Sequence, residues 1–122
     1  MVEKLKVYKD TYLLVNKIYD MLPRMERMHR YTIGTKLIDA ALSQFRWISL
    51  ANKSRSKEER IKYIDKFLSD FEIVKIYLRI CADRKFTTLN TLASMFQLAD
   101  SITGQMTGWR NATCQNYPAK AG

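Results

Sequence analysis

"SKEERIKYIDKFLSDFEIVKIYLRIC", residues 56 to 81, carries the clearest helical pattern in the sequence. Ser56 followed by Glu59 is a capping box: the serine hydroxyl accepts from the backbone N–H of the glutamate, whose side chain reaches back to the serine. After the box, apolar residues recur at steps of three and four, which is the spacing of one helix face. The stripe extends for about three heptads, a length that suits antiparallel packing in a helix bundle. Its members are Ile61, Ile64, Leu68, Phe71, Val74, Leu78 and Cys81.

Two amphipathic segments precede this helix. The apolar spacing predicts a first helix from Tyr8 to Leu22, which the following proline ends because proline has no N–H to donate. It predicts a second helix from about Thr32 to Lys53. At the start of this second helix we expect Thr32 to cap, Tyr31 to pack as a staple and Gly34 to allow the close approach of a neighbour.

A fourth helix follows the quoted stretch. Thr87 or Thr88 can cap it, and Gly108 is expected to end it. No segment shows the period-two alternation of a strand, and the connections between helices are short. We therefore predict an all-α fold, an antiparallel up-down-up-down four-helix bundle over residues 1–110, with a flexible polar C-terminal tail over residues 111–122.

Composition limits the function classes. The chain has 122 residues, and its 21 Lys and Arg against 12 Asp and Glu give a formal net charge of +9. Such an excess implies an acidic partner, of which the phosphate backbone of a nucleic acid is the commonest. No run of apolar residues is long enough for a membrane span, and the N-terminus lacks the pattern of a signal peptide, so we expect a cytoplasmic protein without a membrane partner.

Catalytic and metal-binding patterns are missing from the sequence. His29 is the only histidine, and the two cysteines, Cys81 and Cys114, do not form a C-x-x-C pair. There is no phosphate-binding loop of the G-x-x-x-x-G-K-[ST] or G-x-G-x-x-G type. The acidic residues are explained by the helix dipole and by i,i+4 pairs with lysines. We predict that the protein is not an enzyme and that it holds no cofactor and no metal.

The basic residues are candidates for a nucleic-acid-binding surface. Several surround the turn between the second and third predicted helices, and others continue along the third helix at i,i+4 spacing. Three arginines adjoin the start of the second helix. An ordinary solvated face is the alternative, because acidic residues interleave with the lysines of the third helix. The candidates are Arg24, Arg27, Arg30, Lys36, Arg46, Lys53, Arg55, Lys57, Arg60, Lys62, Lys66, Lys75 and Arg79.

Four short motifs carry a resemblance to a known family. They are "RYTIGTKL" at 30–37, "LANKS" at 50–54, "YLRICADRKFTTL" at 77–89 and "TGW" at 107–109. In this order and spacing the chain resembles the accessory variability determinant proteins of diversity-generating retroelements over roughly residues 8 to 110. A four-helix-bundle family encoded in ribosomal intervening sequences has a similar helix pattern, and its members would suggest an alternative: a helical interaction module that binds an acidic protein.

The resemblance implies a bundle that assembles into a five-fold barrel, binds RNA and DNA without sequence preference, and partners the reverse transcriptase of the retroelement. Self-association also agrees with apolar residues beyond one helix seam, namely Tyr12, Tyr19, Phe86 and Trp109. For the oligomer or partner interface we single out Tyr31, Gly34 and Trp109. For Trp109 the main interpretation is structural, in which its ring closes one end of the bundle, and the interface role is the second.

Overall fold

A computed structural model describes residues 2–116 of the chain. This part of the protein is helical apart from short connections and contains no strand. Short 3-10 turns lie at Val2–Lys4 and Leu22–Arg24, and a π-helical turn lies at Arg30–Gly34. The α-helices are α1 (Lys6–Met21), α2 (Arg27–His29), α3 (Thr35–Lys53), α4 (Lys57–Asp83) and α5 (Leu89–Asn116).

The four long helices α1, α3, α4 and α5 form the bundle that the sequence predicts. Each packs on the next along the chain, and α5 also packs on α1, so the helices enclose one core. Both α1 and α4 run antiparallel to α5, because early residues of each lie level with late residues of α5: Asp10 of α1 bonds to Gln105, and Asp65 of α4 bonds to Arg110. Phe67 and Phe71 stack in the core with ring centroids 5.3 Å apart.

The buried stripe of α4 differs from the predicted one at two positions. Ile64, Phe71 and the later members are buried as expected, but Ile61 and Leu68 are only half-buried. Phe67 is fully buried in their place. The reason is that a helix packed on two neighbours buries a wide face, and Ile61 and Leu68 lie at the edge of that face.

The start of the second predicted helix was placed too late. Helical structure begins at Arg27, and the π-helical turn joins α2 to α3 without a break. Thr32 therefore lies inside the helical run, where its hydroxyl donates to the carbonyl oxygen of Met28 at 2.9 Å instead of capping. Tyr31 is 67% exposed and does not pack as a staple.

Gly34 makes a close approach inside the chain. A Cβ atom at this position would lie 2.9 Å from Cδ2 of Leu22, at the end of the preceding helical region. Any larger residue would require Leu22 to shift. The expected close approach is therefore present, and the neighbour is Leu22 of the same chain.

The last helix is longer than predicted. α5 continues through the exposed Gly108 to Asn116, so the helix end expected at Gly108 is wrong. Thr113 is buried, and its hydroxyl donates to the carbonyl oxygen of Trp109 at 2.8 Å. Packing of this kind offsets the roughly 1 kcal/mol that a glycine costs in a helix interior. Of the expected tail at 111–122, the part up to Asn116 is helical and the remainder lies outside the described residues.

Side-chain caps confirm two predicted helix starts. Ser56 Oγ accepts from the backbone N–H of Glu59 at 3.2 Å, and Thr88 Oγ1 accepts from that of Thr91 at 3.3 Å. Both caps satisfy amide groups that a helix start leaves without partners.

The two cysteines lie in different environments. Cys81 is fully buried in the core, and burial raises the pKa of its thiol to about 11. Cys114 is half-buried near the end of α5. None of the described helices is long and apolar enough to cross a membrane.

Candidate nucleic-acid-binding surface

The exposed residues on the outward face of α4 change from basic to apolar along the helix. Lys62 and Lys66 are exposed in its first half, which we call the basic half. Ile73 and Ile76 are 46% and 52% exposed farther along, and we call this part the apolar half. The two halves share one helix but present different chemistry to solvent.

Cations from α3 and the following turn extend the basic half. Arg46 and Lys53 are exposed on α3, and Arg55 is exposed in the α3–α4 turn. The two helices pack side by side in this region, because Trp47 of α3 stacks on Tyr63 of α4. We name the resulting cluster of exposed cations the α3–α4 basic surface: it consists of Arg46, Lys53, Arg55, Lys62 and Lys66.

Trp47 and Tyr63 form a half-buried ring pair between these cations. The ring centroids are 6.2 Å apart with an interplanar angle of 20°. The indole N–H of Trp47 donates to a carboxylate oxygen of Asp70 at 2.8 Å, and the ammonium of Lys62 lies 5.6 Å from the centroid of Tyr63. Sequence reasoning missed this pair, although a cation directly precedes each ring, in Arg46-Trp47 and Lys62-Tyr63.

Arg60, a candidate for the binding surface, is used inside the bundle. Its guanidinium donates to the carbonyl oxygens of Ala51 at 3.0 Å and Ser54 at 3.1 Å, which lie at the end of α3. It also lies 5.7 Å from the ring centroid of Trp109. This arginine closes the C-terminal end of α3, where helix carbonyls lack partners within the helix.

Arg30 has the equivalent role at the opposite end of the bundle. Its guanidinium donates to the carbonyl oxygens of Leu22, Pro23 and Met25 at 3.1 to 3.2 Å. Of the other two candidates in this region, Arg24 is exposed, and Arg27 is exposed with its guanidinium 5.8 Å from the ring centroid of Tyr31. Arg24 and Arg27 thus lie far along the bundle from the α3–α4 basic surface.

The remaining candidates are dispersed. Lys36 is exposed on the first turn of α3, and Lys57 is half-buried at the start of α4. Lys75 is half-buried and paired with Glu72 at 3.1 Å. Arg79 is exposed and lines a cavity with Phe96 and Asp100 between α4 and α5. Five of the predicted cations are therefore exposed on the second half of α3, the first half of α4 and the turn that joins them, and the others are half-buried or lie elsewhere.

Acidic residues near the basic surface are partly engaged. Arg110 Nε donates to Asp65 Oδ1 at 2.6 Å, and a second bond joins Arg110 Nη2 to Asp65 Oδ2 at 3.3 Å. The carboxylate of Asp65 raises the pKa of the Arg110 guanidinium through these bonds. Asp70 accepts from Trp47, while Glu58 and Glu59 remain exposed at the first turn of α4.

The predicted interface residues have three different positions. Gly34 is buried within the chain, and Trp109 is half-buried beneath Arg60, where its ring helps to close the bundle end. Tyr31 is exposed. Whether any of them contacts another chain stays a prediction.

Exposed apolar side chains lie on the α1–α3 side of the bundle and on the outward face of α4, and others, among them Met28, Tyr31 and Leu89, lie elsewhere. On the α1–α3 side, Tyr12 is 58% and Tyr19 63% exposed, with Phe45 packed against the Tyr12 ring. On the outward face of α4 lies the apolar half. Phe86, which the sequence suggested as a surplus apolar residue, instead stacks on His29 with ring centroids 4.2 Å apart.

Comparison with known proteins gives one family. A family model described as bAvd-like matches residues 4–113, which is nearly the whole chain. No curated protein matches the chain.

Proposed function

The chain belongs to the bAvd-like family, and we propose on this premise that it is a non-catalytic accessory protein of a diversity-generating retroelement, acting in the cytoplasm. In this role it binds template RNA and its DNA copy and partners the reverse transcriptase during mutagenic cDNA synthesis. The family membership supports the accessory role, and the sequence motifs at 30–37 and 77–89 support the assignment to such a retroelement.

One observation carries the nucleic-acid part of the proposal: the α3–α4 basic surface. Five exposed cations are carried by two helices that pack on each other and by the turn that joins them, on a chain whose formal net charge is +9. Cations at such a surface neutralise phosphates and release condensed counterions, which gives affinity without sequence preference. We therefore expect binding to RNA and to unrelated DNA with a steep dependence on salt.

The test is salt-dependent binding of RNA and DNA oligonucleotides by the wild type and by a variant in which the five cations of the surface are changed to glutamine. Each lost phosphate contact should lower the slope of log affinity against log salt by about 0.7 to 0.9. Equal affinities for both proteins, with helicity unchanged, would reject this surface. If the protein does not bind nucleic acid but binds an acidic protein, the interaction-module alternative is favoured.

The partnership with the reverse transcriptase needs its own experiment. Template-dependent DNA synthesis by the retroelement's enzyme is measured with and without the purified protein. We expect synthesis to require the protein and to fall with the five-glutamine variant. Synthesis that is unaffected by the protein would reject the partnership while leaving nucleic-acid binding intact.

We further propose that the protein assembles with itself, and that five copies form a closed barrel, as the family resemblance implies. The two exposed apolar surfaces support self-association, because different surfaces of one subunit can join head to tail and close into a ring. Light scattering at micromolar concentration should give a multiple of the chain mass of 14.3 kDa. A monomer mass would overturn this part.

A further inference from the structure

The ring pair of Trp47 and Tyr63 has an unusual position for a purely structural contact. It lies between α3 and α4, half-buried, and both helices carry exposed cations: Arg46 and Lys53 on α3, Lys62 and Lys66 on α4. Binding through phosphates alone requires only the cations. The rings add a second kind of contact to the same surface.

Both rings are held in place by neighbouring side chains. The hydrogen bond to Asp70 satisfies the indole N–H of Trp47, and the Lys62 ammonium lies over the Tyr63 ring, 5.6 Å from its centroid, so that a base stacking on this face would displace it. A fixed ring loses little conformational freedom when a ligand stacks on it. The hydrogen-bond donor of Trp47 is already used within the chain, so what the indole offers a ligand is its apolar surface.

Aromatic rings next to cations are the arrangement with which proteins hold unpaired bases, the rings meeting the bases and the cations meeting the phosphates. In a duplex the bases are stacked and paired, so the rings cannot reach them. Resting on the proposed function, we propose that Trp47 and Tyr63 contact unpaired bases, so that the α3–α4 basic surface prefers single-stranded nucleic acid to duplex.

Salt concentration separates the two kinds of contact. Phosphate contacts weaken as salt rises, with a slope of about 0.9 per contact for duplex and 0.7 for a single strand, whereas ring stacking has no such term. The slopes alone make the preference for the single strand grow as salt is raised, and stacking adds a factor that is constant across the salt series and is lost when the ring is removed. Near physiological salt we expect the preference to reach about tenfold, since stacking of one base contributes this much or more.

The experiment measures binding of one labelled oligonucleotide, single-stranded and annealed to its complement, across a salt series. The variant Tyr63→Leu keeps an apolar side chain at the site and should lower single-strand affinity about tenfold, with the salt slope and the duplex affinity unchanged. The variant Lys62→Gln should lower the salt slope for both ligands. Tyr77→Leu is the matched control, because Tyr77 is also half-buried on α4 but follows Ile76 of the apolar half. It should bind like the wild type.

If the Tyr63→Leu variant loses helicity, its weaker binding is not informative, and a fluorescence measurement on a chain that keeps Tyr63 tests the same inference. In a Trp109→Phe chain, Trp47 is the only tryptophan, and its emission should be quenched by the single strand and not by the duplex. Equal affinity for both ligands across the salt series, or unchanged Trp47 emission with single strand bound, would overturn the inference while nucleic-acid binding stands. A chain that binds neither ligand would reject the inference together with the proposed nucleic-acid binding.

Discussion

The two halves of the outward face of α4 share a helix and a core seam, yet one carries lysines and the other isoleucines. Behind both halves lie the same kinds of buried residue, Ile64 and Phe67 in one and Val74 and Leu78 in the other. Packing therefore determines the residues of the inner face, while the residues of the outer face can differ according to the molecule that each half contacts. Lysines suit a polyanion and isoleucines suit an apolar protein surface.

The largest expected effect is a loss of self-association when lysines replace the exposed isoleucines of the apolar half. The double variant Ile73→Lys, Ile76→Lys should reduce the native mass to that of a monomer, because the two new lysines cannot be buried against a neighbouring copy without partners. Both positions are about half exposed in the single chain, so helicity should remain. Native mass spectrometry and circular dichroism measure the two quantities.

The control for this variant is Ser69→Lys, which adds a lysine at an exposed position between the two halves. It should leave the assembly as it is. An oligomer that survives both isoleucine changes would break the comparison, since the apolar half would then have no part in self-association.

The next largest effect concerns the basic half. The double variant Lys62→Glu, Lys66→Glu should lower affinity for RNA about tenfold or more near physiological salt and should leave the assembly unchanged. The matched control is Arg84→Glu, Lys85→Glu, which makes the same change in net charge just beyond the apolar half. If both variants lose affinity equally, only net charge matters and the basic half is not a site.

A third prediction separates surface cations from structural ones. Arg30→Ala and Arg60→Ala should each lower the free energy of unfolding by about 1 to 3 kcal/mol, because each leaves helix-end carbonyl oxygens without a donor. Arg55→Ala, at an exposed position, should change it by no more than about 0.5 kcal/mol. Urea denaturation gives the values. If Arg60→Ala leaves the stability unchanged and weakens RNA binding, Arg60 belongs to the RNA-binding surface and is not a structural residue.

The smallest effect tests the acidic residues beside each half. Asp65→Asn removes a negative charge near the basic half and releases Arg110, so RNA affinity should rise by roughly twofold. Glu72→Gln removes the partner of Lys75 near the apolar half and should leave RNA affinity unchanged. Fluorescence anisotropy at low salt detects a change of this size. If Glu72→Gln raises the RNA affinity as much as Asp65→Asn does, the affinity depends on the net charge of the protein and not on charges close to the basic half.

The helices were predictable because their signals are local and repeated. The stripe from Ile64 to Cys81 and the cap at Ser56 need only spacing and residue type. The length of α5 was not predictable from Gly108, since the packing that offsets the glycine comes from residues beyond it, such as Thr113. The π-helical turn was missed as well, because it depends on the fit of Gly34 against Leu22.

The candidate surface was predictable only in part. Lys62 and Arg60 are both basic residues at the start of α4, and no pattern distinguishes the one that meets solvent from the one that meets carbonyl oxygens. Charge alone therefore overestimated the surface. The ring pair was missed for the opposite reason: Trp47 and Tyr63 are 16 positions apart, and only the packing of α3 on α4 brings them together.

The unequal environments of the two cysteines provide a natural labelling site. With the pKa of Cys81 raised to about 11 and its side chain fully buried, a maleimide probe at neutral pH should modify Cys114 first. Because Cys114 lies near the end of α5, the probe marks one end of the bundle. In an assembly whose subunits all point the same way, such probes would form a single circle on one rim. In an assembly of alternating subunits they would divide between two rims, so distances between spin labels would report the polarity of the particle without any engineered residue.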